Sequence, residues 1–73
     1  MRLKEVTAET LGIDADEIGD DTSPATTPEW TSFNHLTLMS VVEETFGLTL
    51  SMEEMTAVKS YADLCATVAR HVG

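Results

Sequence analysis

The sequence predicts an all-α fold, a small four-helix bundle with a long loop between helices one and two and a short third helix. Three observations carry that prediction. Apolar residues recur at helical spacing in separate segments, no run of strand length alternates apolar with polar, and glycines or capping residues stand at the segment ends. Seventy-three residues fit one domain, residues 1–73, with a thin core and little room for a catalytic cleft. A hydrophobic share of 42% with one Trp, one Tyr and two Phe is too much for a disordered acidic tail.

Leu3, Val6 and Leu11 share one helical face, and Gly12 follows as a left-handed stop, so helix one is expected over about Arg2 to Leu11. From Ile13 to Trp30 the text turns to Asp14, Asp16, Asp20, Asp21, Ser23, Pro24, Thr26, Thr27 and Pro28, residues that favour turns and caps. This is the long loop, pinned by Ile13, Ile18 and Trp30. Phe33, Leu36, Leu38, Met39, Val41, Val42 and Phe46 then form an apolar surface wider than one stripe, closed by Gly47. Such a helix meets two neighbours. With Leu38, Val42 and Phe46 facing in, Phe33 and Leu36 fall on the outer side.

Ser51 and Glu54 have capping-box spacing and open a short third helix over Met52 to about Ala57. Ser60 and Asp63 resemble the same device. Behind them Tyr61, Leu64, Cys65, Val68 and Val72 mark the buried face of a last helix to about His71.

Thirteen Asp and Glu against four Lys and Arg give a formal charge of −9, which repels nucleic-acid phosphates and anionic membrane surfaces. Basic proteins are the natural partners. The single cysteine, Cys65, has no internal disulfide partner, and the opening MRLKEVTAET has no apolar run of signal-peptide type. A compact cytoplasmic monomer is expected.

The run DADEIGDD puts Asp14, Asp16 and Gly19 at positions one, three and six of a calcium loop. Ile18 at position five and Ala25 at position twelve remove key ligands, so a solvated acidic loop is the expectation. His35 and His71 have no ligand partners at a convincing spacing, and no metal site is expected. Ser32 and His35 lack an identifiable orienting group or oxyanion hole, and no catalytic residue is assigned.

Ser32 opens the most apolar helix, and taken alone it reads as an N-cap worth about 1 kcal/mol. The text around it says more. Thr31-Ser32-Phe33 stands before NHLTLMSVV and Glu43-Glu44-Thr45-Phe46-Gly47, with TLGIDADEI upstream and LTLSMEEMTAVKSYADLCATV downstream. Over essentially its whole length the chain resembles an acyl carrier protein, whose usual motif is Asp-Ser-Leu at the start of helix two and Glu-Glu-x-Phe-Gly at its end.

The resemblance implies that Ser32 carries 4′-phosphopantetheine as a phosphodiester, added by a phosphopantetheinyl transferase that draws on coenzyme A. It implies an acyl group held as a thioester on that arm, an acyl-loading ligase or acyltransferase, and downstream synthase or transferase enzymes of fatty-acid, polyketide or other secondary metabolism. The chain itself would catalyse nothing. Physical chemistry agrees, since a helix start offers free N–H groups and a positive dipole end, worth about 0.3–1 kcal/mol to an exposed anion.

Thr31 replaces the family's usual Asp, Phe33 its Leu, and Asn34 and Thr37 occupy positions that are often acidic. Glu43, Glu44, Glu53 and Glu54 remain as docking charges, with Thr31, Phe33 and Leu36 as the contact surface beside Ser32. Trp30 at its place looks like stand-alone carriers of specialised pathways. Two alternatives stay open: an aminoacyl or peptidyl carrier, and an unmodified carrier-like docking module.

Overall fold

A computed structural model describes residues 2–72. Four α-helices follow in order, α1 (Leu3–Leu11), α2 (Ser32–Phe46), α3 (Met52–Ala57) and α4 (Tyr61–Val72), with one turn of 3₁₀ helix at Ala15–Glu17 in the first connection. No strand occurs among the described residues. The all-α bundle with a long first connection and a short third helix is the architecture the residue pattern predicts.

α1 buries Leu3, Val6, Thr7, Ala8 and Leu11, one face of a helix, and packs on α2. Thr7 sits in that face without cost because its hydroxyl donates to the Leu3 carbonyl at 2.8 Å. Gly12 ends the helix at φ 73°, a conformation open to glycine, and its N–H reaches the Ala8 carbonyl at 2.8 Å. Arg2 stands outside the helix as its N-cap.

The loop that follows is held by Ile18, Thr22 and Trp30, all buried, with Ile13 half-buried against the core. Its backbone also does structural duty for α4. The Thr22 carbonyl accepts the Tyr61 N–H at 2.7 Å and the Asp20 carbonyl accepts that of Ala62 at 3.3 Å, so the loop satisfies amides that a helix start leaves open. Ser60 accepts the Asp63 N–H at 3.1 Å, while Asp63 reaches back to the Lys59 amide at 3.0 Å.

α2 contributes Leu38, Met39 and Val42 to the core, flanked by half-buried Val41 and Phe46. Phe33 and Leu36 point outward, 77% and 57% exposed. Gly47 closes the helix at φ 64°. The reciprocal box at Ser51 and Glu54 opens α3, with Ser51 Oγ accepting from the Glu54 amide at 3.1 Å and the Glu54 carboxylate from the Ser51 amide at 3.0 Å.

Tyr61, Leu64 and Val68 are buried on α4 as their spacing predicts, joined by Thr67, and Cys65 is half-buried. Val72 is a correction. It continues the apolar spacing of α4 but is 53% exposed, because the last turn, Ala69 to Val72, is exposed throughout and meets the bundle through the polar pair of His71 with Glu54. Periodicity marks a face, and a face is buried only where a neighbour reaches it.

Candidate functional site

The N-cap of α2 is Thr31, not Ser32. Thr31 is extended, at φ −81° and ψ 170°; its Oγ1 accepts the Asn34 N–H at 3.1 Å and its carbonyl accepts that of His35 at 2.8 Å. The cap thus satisfies the third and fourth amides of the turn. Ser32 follows as the first helical residue, exposed, with its hydroxyl outside the cap. The first-turn amides of Ser32 and Phe33 have no partner among the described residues, and the first turn holds no acidic residue. An anion on Ser32 Oγ meets the positive end of the helix and no nearby carboxylate of that turn.

The other serines are placed differently. Ser51 and Ser60 are caps, Ser23 shares its hydroxyl with Thr26 at 3.2 Å, and Ser40 lies on the exposed side of mid-α2, where the amides are already in the helix ladder. Among the described residues Ser32 combines an uncommitted hydroxyl with a helix start.

Beside Ser32 opens a cleft of about 390 Å³, with Thr31, Ser32, His35 and Leu36 on the α2 side, Pro24 and Trp30 from the loop, and Thr56 and Val58 from the end of α3. Its floor is an arrangement that sequence reasoning missed. The Trp30 indole N–H donates to His35 Nδ1 at 3.0 Å, the two rings lie edge to edge with planes 26° apart and centroids 6.1 Å apart, and His35 Nε2 meets the Met55 carbonyl at 2.8 Å. The expectation that nothing orients His35 is therefore corrected. Both ring nitrogens are engaged, so neither is offered to Ser32 as a base. A spacing of five between Trp30 and His35 straddles the cap and matches no helical period, which is why the pattern gave no signal.

The four acidic candidates divide. Glu44 and Glu53 are exposed. Glu43 is half-buried and its carboxylate accepts the Leu50 N–H at 2.7 Å, pinning the turn between α2 and α3. Glu54 accepts from Ser51 and pairs with His71 Nε2 at 2.7 Å, and its carboxyl is held below the usual value by the Ser51 amide first and by His71 second. Phe33 and Leu36 flank Ser32 as an exposed apolar edge. No three His, Cys, Asp or Glu side chains converge as metal ligands among the described residues, and no described helix is long and apolar enough to cross a membrane.

A family model described as a phosphopantetheine attachment site matches residues 2–68. No curated protein matches the chain closely enough to count as a relative. Members of the family hold 4′-phosphopantetheine covalently on a serine, and such domains work with a phosphopantetheinyl transferase and partner enzymes. The match runs from α1 into α4, across the free serine and the cleft beside it, and the chain belongs to this family as a phosphopantetheine-carrying carrier protein.

Proposed function

We propose that Ser32 is the attachment serine and that the chain is an acyl carrier without catalytic activity of its own. One observation carries the assignment: Thr31 does the capping, so the Ser32 hydroxyl is free at the start of the longest helix. Ser32 Oγ becomes the ester oxygen of a phosphodiester with the pantetheine half of coenzyme A, and the nucleotide half leaves. The bound group supplies a thiol at the end of a flexible arm, on which an acyl unit is held as a thioester. The protein's own residues position that arm. The amides of Ser32 and Phe33 and the helix dipole favour the phosphodiester, and Phe33 and Leu36 give partner enzymes an apolar contact beside it.

Glu44 and Glu53 offer exposed charge to the basic faces of the transferase, the acyl-loading ligase or acyltransferase and the downstream synthase, speeding encounter. Thr31 contributes to the same surface through its backbone and methyl. Glu43 and Glu54 add to the negative field while also holding structure. A strongly acidic surface favours acyl over aminoacyl cargo and suits a monomeric domain in the cytoplasm.

The test is incubation of apo protein with coenzyme A and a broad-specificity phosphopantetheinyl transferase, followed by intact mass and fragmentation. One phosphopantetheine on Ser32 is expected, and none on Ser32→Ala, which folds normally. An adduct on another serine, or none while a conventional carrier is modified in the same tube, overturns the assignment. Offering the holo protein to acyl-activating and adenylating enzymes then decides cargo, with aminoacyl loading alone sinking the acyl reading.

A further inference from the structure

Both histidines of the chain end on neighbouring residues of α3. His35, on α2, meets the Met55 carbonyl at 2.8 Å, and His71, on α4, meets the Glu54 carboxylate at 2.7 Å. α3 has no fully buried residue of its own. It hangs between Leu50 and Val58, buried on either side of it, with Met55 half-buried against the core. A short helix with so little buried apolar surface belongs to the least stable part of a fold. Its hold on α2 and on α4 therefore leans on two imidazoles.

Protonation opposes the bond from Trp30 to His35 and none of the bonds that the histidines donate to α3. An indole N–H only donates, so His35 Nδ1 must present a lone pair; a carbonyl only accepts, so Nε2 must carry the hydrogen. One neutral tautomer satisfies both. A second proton on Nδ1 sets two N–H donors against each other at the 3.0 Å the bond now spans, and the indole, 3% exposed, has no water to turn to. His71 instead donates to a carboxylate, and a positive charge strengthens that bond.

The cleft around His35 supplies no charged side chain to offset that proton. The cleft walls around it, Pro24 and Trp30 from the loop, Leu36 from α2, and Thr56 and Val58 from α3 and its end, carry no ionisable group. Glu29, Lys59 and Glu53, the charged residues flanking these walls in sequence, are exposed, and Glu54 is turned to His71.

We propose that neutral His35 is a latch holding the Trp30 loop against α2 and narrowing the cleft beside Ser32, and that its protonation frees the indole while the Nε2–H bond to Met55, strengthened by the charge, and the pair of His71 with Glu54 keep α3 in place. The latch stands on Trp30, His35 and Met55 alone; its consequence for cargo, a wider seam next to the arm, rests on the Ser32 assignment. Testing the full chain in its apo form keeps the two separable, because no arm is needed for the latch to open.

Trp30, the chain's one tryptophan, is the donor in the latch, so its emission reads the bond without a label. Emission is followed from pH 8 to 5, the span in which imidazoles change charge. A one-proton transition is expected, kept in His71→Asn and absent in His35→Gln, whose amide supplies an acceptor and a donor but does not titrate. Amide exchange over residues 25–30, corrected for its intrinsic pH dependence, is expected to rise roughly three- to tenfold over the same span, as for one lost neutral hydrogen bond. It stays level in Trp30→Phe, which removes the opposing donor and needs no emission signal. Absence of any transition, a transition that survives His35→Gln, one lost in His71→Asn, or unchanged exchange overturns the latch.

Discussion

Thr31 Oγ1 accepts the Asn34 amide at 3.1 Å, and this bond leaves the hydroxyl of the next residue, Ser32, without a structural task. The two neighbouring hydroxyls, alike on paper, divide the roles of cap and handle between them. Thr31→Ala is therefore expected to lower stability by about 1 kcal/mol, and Ser32→Ala to stay within about 0.5 kcal/mol of the parent. Urea unfolding of the two variants checks this. Equal losses would return the cap to Ser32.

Glu43 faces inward to the Leu50 amide, and the shorter Ala leaves that N–H without its charged acceptor. Glu43→Ala is expected to cost roughly 1.5 kcal/mol, against little for exposed Glu44→Ala. Chemical denaturation of the pair decides it, and a matching effect at both positions removes the distinction.

Glu54 ties stability to acid. Its folded carboxyl titrates below the ordinary 4.5, through the Ser51 amide and His71, so its contribution is present above 4.5 and is lost as pH falls through the lowered folded value. Glu54→Gln does not titrate and is expected to flatten that part of the acid limb. Urea midpoints at about pH 6, 4.5 and 3 give the comparison. Parallel pH curves for parent and variant would show that the carboxylate is not held.

Gly47 at φ 64° has open space around a built Cβ, so Gly47→Ala meets no clash but places a side chain in left-handed backbone. A cost of about 1 kcal/mol is expected, with the same at Gly12, φ 73°, and less at Gly19, where φ is not positive. Thermal unfolding of the three alanine variants ranks them.

Phe33 and Leu36 are exposed and hold no core contact, so Phe33→Ala and Leu36→Ala are expected to leave thermal stability unchanged. On the Ser32 assignment, each lowers transferase kcat/KM by roughly fivefold through a lost interface contact. Unchanged kinetics in both variants would place docking elsewhere.

Much of the fold is written in bonds that span three or four residues. The glycine stops, the Ser51 and Glu54 box and the apolar faces of α1, α2 and α4 are local, and local patterns survive without knowledge of neighbours. The resemblance that led to Ser32 is of the same kind, a contiguous stretch at the start of one helix. Even there the reach was partial: two hydroxyls stand side by side, and the backbone conformation of Thr31, not its identity, decides which one caps.

By itself, the sequence determined an all-α bundle, its glycine stops, the caps at Ser51 and Ser60, and a serine at the head of the most apolar helix. Tertiary structure decided what depends on a distant partner. His35 is oriented because Met55, twenty residues on, presents a carbonyl to it; Glu43 is turned in by Leu50; the α4 amides are met by Asp20 and Thr22; and Val72 is left in water because the last turn meets α3 only through the polar pair of His71 with Glu54. Such partners meet only once helices pack, when a polar group leaving water must find one or stay exposed.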